Sequence, residues 1–469
     1  MLKKVIALFS SSNPLQKSAL WGAGAGLLAL LASIMIGKEG TSAFIISFAL
    51  VAGAAGVLLS LLYERFPLYL LVVLLPLAEM LKVEFIPSTL LIIPGSLAVV
   101  SLLAVVALRK NPIFVHSPIL LLAVLLGVWA SVAMAAVGSV FESRPYWLVI
   151  VLLFLIPNFF THEDHLLRAG WLFMLPLGCL GVYVFVIKVL SYLMGQVVTG
   201  QSLHSVRFEV GDKNIVGLWL TLGIPFAYYL FGYYQKEPGK RFWILMIGVA
   251  ILAGALATVS LGVVVGLCAM IGMIIWLQPD VSARLRSLAL GIILIPLIFN
   301  GFVIERLQSK QILTPGEAWG TYRGELWSAG ARTILDNPIF GIGLKPARRI
   351  AMLKYLHEPF FQQWYDQGVL IMPHNIFLSV GVDIGLPGLV LYLILLSSVL
   401  FSLWRLRHRP EYHENHLIRI FTNIFLVALI TGWVQSMALS VHLDKLLWFL
   451  MGSTIALWNI VDEKGHNKG

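Results

Sequence analysis

The segment 242–277 holds 36 consecutive residues without a charged side chain, and no other feature limits the fold of this chain so strongly. As one α-helix it would be about 54 Å long at 1.5 Å per residue, whereas the hydrocarbon core of a bilayer is about 30 Å thick. The segment therefore predicts two membrane spans with a turn at Thr258–Gly262. Similar apolar runs recur along the 469 residues, so we expect an all-α polytopic membrane protein.

Composition also excludes a soluble enzyme, because 59% of the residues are hydrophobic, 12% are charged and the mean hydropathy is +0.89. A span needs about twenty apolar residues, and this rule predicts about 12 to 14 transmembrane helices. The candidate spans lie near residues 19–36, 41–62, 66–81, 89–108, 118–137, 146–160, 167–192, 215–234, 242–258, 260–277, 285–303, 387–404, 418–438 and 443–460.

These spans divide the chain into three predicted parts. Residues 1–303 form an N-terminal set of about 11 transmembrane helices, and residues 387–469 form a C-terminal set of about 3. Between them, residues 304–386 form one long extracytoplasmic loop with short helices. This loop gathers arginines, carboxylates, aromatic residues and a histidine, so it is the predicted catalytic region.

The distribution of lysine and arginine predicts which side of the membrane the long loop faces. With a cytoplasmic N-terminus, the inner segments hold 18 of the 33 basic residues, the short outer segments hold 7, and residues 304–373 hold 8. Because basic residues favour cytoplasmic loops, we expect the long loop at the periplasmic face of a bacterial inner membrane. Topology and contacts with membrane lipid then account for the net charge of +10, and no nucleic-acid partner is expected.

No metal site and no cofactor are predicted. Cys179 and Cys268 both lie in apolar runs, without metal-ligand spacing. The sequence HEDH at residues 162–165 resembles a metal cluster. Its spacing fits no zinc motif, so a solvated loop is the favoured interpretation.

The first half of the long loop predicts a helix that an Asn-Pro pair at residues 337–338 would end. The residues that share one face by steps of three and four are Arg323, Trp327, Gly330 and Ile334. An arginine held against a tryptophan ring can grip a phosphate through two parallel hydrogen bonds. The alternative is an ordinary loop helix with an arginine on its surface.

Two further groups of basic residues are candidates for substrate binding. The segment 345–357 includes Arg348 and Arg349 between apolar residues, which is typical of an interfacial helix on anionic headgroups. An ordinary solvated helix is the alternative. Arg207 and Asn214 precede the span 215–234 on the predicted outer face, where short loops usually lack arginine; a topological loop charge is the alternative for Arg207.

His374 is the candidate general base. It is followed by Asn375 and a short apolar run that breaks at Asp383 and Gly385, so it should lie in or just before the first turn of a helix at the membrane mouth. The positive end of that helix disfavours an imidazolium and keeps the ring able to accept a proton. A structural histidine is the alternative.

Three motifs, in this order, resemble the bacterial O-antigen ligase and O-antigen polymerase family of polytopic glycosyltransferases. They are RFEVGDKNIVGLWLTLGIP at residues 207–225, Arg323-x-x-x-Trp327 with NPIFGIG at 337–343, and His374-Asn375 with DIGLPG at 383–388. The chain departs from the family at one position. Where the family often has Ser-Arg between two spans, this chain has Ser260-Leu261.

The resemblance implies a metal-independent transfer of a glycan from undecaprenyl pyrophosphate to an acceptor hydroxyl at the periplasmic face. Arg207 and Arg323 would stabilise the leaving pyrophosphate, and His374 would accept the hydroxyl proton. The candidate substrate-binding residues are Trp327, Asn375, Asp383, Asn214, Arg348 and Arg349. The acceptor would be lipid A-core in an O-antigen ligase of lipopolysaccharide synthesis, which we favour, or a second lipid-linked glycan in a polymerase.

A transporter or flippase is the alternative from a different functional class. It would need ionisable residues in the middle of spans, whereas Glu79 and Lys188 lie near predicted span ends. A binding or scaffold role is a third and weaker hypothesis.

Overall fold

The computed structural model describes residues 66–77, 117–193, 213–278, 282, 285, 323–345, 350–357, 361–362, 366 and 371–466. All regular secondary structure in these residues is helical, so the chain is an all-α polytopic membrane protein, as predicted. The chain separates into two units, residues 1–114 and 115–469. The described part of the first unit is helix α1 (Phe66–Leu77), which begins at the first residue of the predicted span 66–81.

The second unit contains the remaining described helices. In chain order they are α2 (Pro118–Val137), α3 (Arg144–Phe159), α4 (Glu163–Leu193), α5 (Lys213–Tyr233), α6 (Pro238–Ala257), α7 (Leu261–Leu277), α8 (Arg323–Asp336), α9 (Ile350–Leu353), α10 (Ile376–Leu406), α11 (Pro410–Glu414), α12 (His416–Ser436) and α13 (Lys445–His466). Among these residues, seven helical segments are long and apolar enough to cross a membrane. Six are α2, α4, α5, α6, α10 and α12, and the seventh joins the 3₁₀ turn Val140–Ser143 to α3.

The predicted division of the long uncharged segment is confirmed. Helix α6 ends at Ala257 and α7 begins at Leu261, and Val259 between them has a φ of 49°. The predicted spans 19–36, 41–62 and 89–108 lie outside the described residues, as does 285–303 apart from its first residue.

The helices pack closely where glycine removes a side chain. Helix α6 packs against both α4 and α5. A Cβ atom on Gly181 of α4 would lie 2.2 Å from the carbonyl oxygen of Ala250 in α6. In lipid, small residues of this kind let two helix backbones approach. Helix α12 is the most enclosed of the candidate spans, because α5, α7, α10 and α13 all pack against it.

Helix α10 consists of two parts separated by a break. Ile384 and Gly385 have non-helical backbone angles, and Gly385 has a φ of 73°. The second part contains the predicted span 387–404, and the first part is the short helix predicted after His374. The break at the predicted Asp-x-Gly sequence is therefore confirmed.

Candidate active site

Helix α8 packs its predicted face against the start of α10. Trp327 Nε1 donates to the carbonyl oxygen of His374 at 3.4 Å. A Cβ atom on Gly330 would lie 3.2 Å from the proline that precedes His374, and one on Gly381 would lie 2.6 Å from Ile334 Cδ1. The predicted shared face is confirmed for Trp327, Gly330 and Ile334, which all contact this part of the chain.

Arg323 is the first residue of α8, four residues before Trp327. Its side chain is half-buried. The helix ends at Asp336, directly before the Asn-Pro pair, as predicted. Trp327 therefore connects the arginine-bearing helix to the backbone of His374.

His374 lies two residues before α10 in a backbone conformation that side chains rarely adopt. Its φ is 48°, in the left-handed region that is uncommon for residues other than glycine. Backbone strain of this kind clusters at functional sites. The half-buried histidine is thus held by its neighbours in one specific position.

Asn375 fixes the beginning of α10. Its Oδ1 atom accepts hydrogen bonds from the amides of Phe377 at 3.0 Å and Leu378 at 3.2 Å, which is the ordinary role of an N-cap asparagine. The residue is buried. Although Asn375 was a candidate for substrate binding, the contacts of its amide oxygen determine where His374 lies.

Asp383 is fully buried at the end of the first part of α10. Its Oδ2 atom lies 3.3 Å from Nε2 of His442, and the His442 ring lies against Tyr146 with 5.8 Å between the ring centroids. Because Asp383 has no exposed surface, it can influence a bound substrate only through its neighbours. This burial favours a role for Asp383 in orienting neighbouring residues over the predicted direct contact with substrate.

The α12–α13 loop, residues 437–444, was missed by the sequence analysis. The hydroxyls of Ser440 and Ser379 form a 2.7 Å hydrogen bond, one helical turn before the Asp383–His442 pair. Asp444 accepts from Trp219 Nε1 of α5 at 2.7 Å, while its other oxygen caps α13. Ser440, His442 and Asp444 are polar residues at alternate positions, and this pattern was the sequence signal that could have identified the loop.

The break in α10 is covered by the NPIFGIG segment of the long loop. The carbonyl oxygens of Val382 and Asp383 accept from the amides of Ile342 at 2.8 Å and Gly343 at 3.0 Å. The carbonyl oxygen of Ile384 accepts from Trp129 Nε1 of α2 at 2.8 Å. Backbone carbonyls that lose their helical partners at a break need other hydrogen-bond donors where water is absent. These contacts join the NPIFGIG motif to the DIGLPG motif as one structural unit.

Asn214 lies at the start of α5 and contacts the α6–α7 turn. The Ser260 hydroxyl donates to Asn214 Oδ1 at 2.7 Å. The neighbouring Gln435 is almost fully buried at the end of α12, and neither atom of its side-chain amide has a hydrogen-bond partner among the described residues. A Cβ atom on Gly266 of α7 would lie 2.7 Å from Gln435 Oε1. Gln435 is thus a polar residue that the sequence analysis missed, close to the position where the family often has an arginine.

The second half of the long loop packs on α8. Met352 belongs to an apolar core with residues of α8 and α10. Lys354 and Tyr355 both donate to the Asp336 carboxylate, and these hydrogen bonds lower the pKa of that carboxyl. The described helix here is only Ile350–Leu353. Met352, the buried side chain of this helix, therefore packs into the apolar core that the loop forms with α8 and α10.

Three candidate site residues, Arg207, Arg348 and Arg349, lie outside the described residues. No group of three or more histidine, cysteine, aspartate or glutamate residues suited to a metal ion occurs in the described parts of the chain. Within the HEDH sequence, Glu163 instead accepts from Lys464 and from Asn415.

Residues 216–393 match the family model described as O-antigen ligase. The family resemblance inferred from the sequence is confirmed. The match runs from α5 into α10, so it includes Arg323, Trp327, His374 and Asp383 and leaves out His442.

A curated relative agrees with this family. The chain is 26% identical over 172 residues to a Rickettsia conorii protein named "putative polysaccharide ligase". The similarity covers 34% of this chain and 39% of that protein, so it spans well under half the length of either protein. Together, the family model and this relative show that the chain is similar to O-antigen and polysaccharide ligases.

Proposed function

We propose that the protein transfers a glycan from undecaprenyl pyrophosphate to an acceptor hydroxyl, as an O-antigen ligase that acts on lipid A-core at the periplasmic face of the inner membrane. The observation that carries the proposal is the hydrogen bond from Trp327 to the His374 carbonyl. It joins the arginine-bearing helix to the histidine inside the segment that matches the O-antigen ligase model.

In the proposed reaction, His374 accepts the proton of the acceptor hydroxyl as its oxygen bonds to the anomeric carbon of the donor glycan. The bond from that carbon to the pyrophosphate oxygen breaks, and undecaprenyl pyrophosphate leaves with the electron pair. The guanidinium of Arg323, together with Arg207, stabilises the negative charge that develops on the leaving group. No metal is required in this scheme.

Three residues support these groups. Trp327 positions Arg323 relative to His374, and Asn375 fixes the helix start beside the histidine. Asp383 acts from inside the protein, through its contact with His442. Arg348, Arg349 and Asn214 are proposed to contact the donor or the acceptor.

The test is a reconstituted reaction. Purified protein in lipid nanodiscs is mixed with an undecaprenyl-pyrophosphate-linked glycan and lipid A-core, and the released undecaprenyl pyrophosphate and the acceptor mass are measured. A ligase lengthens lipid A-core once per transfer, whereas a polymerase produces a ladder of lipid-linked glycans without lipid A-core. Release unchanged by a chelator supports metal independence. Failure to release undecaprenyl pyrophosphate with either acceptor would overturn the proposal.

A further inference from the structure

A second feature lies at the opposite end of α10 from His374. An open cavity of about 1060 Å³ is formed there by the ends of α5, α6, α7, α10 and α12 and by the short helix α11. Its lining residues include Arg241, Arg407 and Arg419, together with three histidines. None of the described residues that line it is an aspartate or a glutamate.

Aromatic rings hold two of these arginines in place. The Arg241 guanidinium lies 4.2 Å from the centroid of the Phe231 ring. The Arg407 guanidinium lies 5.5 Å from the Trp404 ring and 5.8 Å from the Tyr412 ring. A guanidinium against an aromatic face keeps its N–H edges available for a planar anion.

The same arginines have hydrogen-bonding capacity that the described protein does not use. The Nε atoms of Arg241 and Arg407 are shielded from solvent and have no hydrogen-bond partner among the described residues. Within those residues, no ion pair with a carboxylate involves Arg241, Arg407 or Arg419. Buried donors normally have a partner, so Arg241 and Arg407 retain donor capacity that the described residues do not use.

An ordinary excess of basic residues at the cytoplasmic membrane face does not explain these observations. That excess places arginines at span ends, but it does not require several of them to line one cavity without a carboxylate partner. Arg405 illustrates the ordinary case. It also lies against aromatic rings, Phe401 and Trp458, but its side chain is exposed and does not line the cavity.

We propose that this cavity binds a phosphate-bearing anion. Arginine forms two parallel hydrogen bonds with phosphate oxygens, and basic pockets between helices bind anionic lipid headgroups. The phosphate can belong to a lipid headgroup or to a soluble phosphate compound. Because the cavity is at the far end of α10, this inference does not depend on the proposed transferase reaction.

The test compares two variants with the same loss of charge. Arg241→Gln combined with Arg407→Gln removes two cavity arginines, and Arg168→Gln combined with Arg405→Gln removes two exposed arginines that do not line the cavity. Native mass spectrometry measures retained phosphatidylglycerol, with phosphatidylcholine as the uncharged reference. Calorimetry in phosphatidylglycerol-free detergent measures the binding of inorganic pyrophosphate.

A lipid site predicts that the cavity variant retains at least about tenfold less phosphatidylglycerol than the wild type, and that the control variant is unchanged. Pyrophosphate binding that only the cavity variant loses would instead identify a soluble phosphate compound. Equal retention by all three proteins, without pyrophosphate binding, would overturn the proposal. Arg419→Gln alters an exposed side chain, so it provides a further variant if the cavity variant does not fold; it should weaken the same binding.

Discussion

Asp383 Oδ2 lies 3.3 Å from His442 Nε2, and both side chains are almost fully buried. The two residues are 59 positions apart in the sequence. This contact connects the first part of α10, which is the short helix that begins after His374, to the α12–α13 loop.

The buried pair predicts strong energetic coupling. Removal of one partner of a buried, charged or hydrogen-bonded pair typically costs about 3 to 5 kcal/mol. Asp383→Ala and His442→Ala should each lower the free energy of unfolding by a comparable amount, and the double variant should lose at least about 1 kcal/mol less than the sum of the two. Denaturant unfolding of the four purified proteins measures the free energies of this double-mutant cycle. Strictly additive losses would contradict a direct interaction.

A catalytic His374 predicts loss of rate without loss of structure. His374→Gln keeps a polar side chain but cannot accept the proton, so the transfer rate should fall by about two to four decades. Binding of the lipid-linked donor and the elution profile of the protein should be unchanged. His357→Gln, an exposed histidine of the same loop, is the control and should retain activity. If His374→Gln is active, the histidine is structural.

The planar guanidinium of Arg323 predicts that lysine cannot replace it. Arg323→Lys keeps the charge but loses the two parallel hydrogen bonds to phosphate, so the rate should fall by about two to three decades. Arg332 lies on the same helix with an exposed side chain near Tyr355, and Arg332→Lys should stay close to the wild-type rate. Initial rates of undecaprenyl pyrophosphate release distinguish the two variants. Equal rates for both would remove the proposed role of Arg323.

The backbone conformation and close packing of Gly385 predict that this position tolerates no side chain. Its φ is 73°, and a Cβ atom there would lie 2.0 Å from the carbonyl oxygen of Ile339. Gly385→Ala should destabilise the protein by more than about 2 kcal/mol and should release the 337–343 segment from α10. Gly324→Ala is the matched control, since no heavy atom lies within 4 Å of its Cβ position. Thermal unfolding and hydrogen exchange of residues 337–343 check both effects.

The charge distribution predicts that Gly324 and Gly239 lie on opposite sides of the membrane. Both positions are open, with no atom within 4 Å of a built Cβ. In a background with Cys179→Ser and Cys268→Ala, Gly324→Cys should react with an impermeant maleimide added to intact spheroplasts. Gly239→Cys should react only after the membrane is permeabilised. The reverse pattern would place the candidate site in the cytoplasm.

The elements that the sequence predicts best are those governed by local physics. The turn after Ala257 follows from the length that a bilayer permits, and the end of α8 at Asp336 follows from the Asn-Pro pair behind it. The break at Gly385 follows from the glycine and proline signals in the helix. Each of these depends on neighbours within a few residues.

The residues that the sequence analysis missed depend on contacts between distant parts of the chain. Gln435 lies near the end of an ordinary apolar span, and Ser440 and His442 follow that span. Helical periodicity does not specify which helix a polar side chain will contact. The N-cap role of Asn375 is local and was detectable, because asparagine before an apolar run is a common helix start. The left-handed backbone of His374 is set by tertiary packing, including the contact with Trp327.

The hydrogen bond from Ser379 to Ser440 and the contact of Asp383 with His442 have a consequence for biosynthesis. Their partners Ser440 and His442 belong to the last helical hairpin of the described chain, so α10 leaves the ribosome before the groups that complete it exist. Until α12 and α13 have been inserted, a serine and a carboxylate of the first part of α10 lack these partners. A nascent chain that stops after α10 would therefore depend on the insertion machinery to shield that short helix from lipid. The candidate site is complete only after the final hairpin has been inserted.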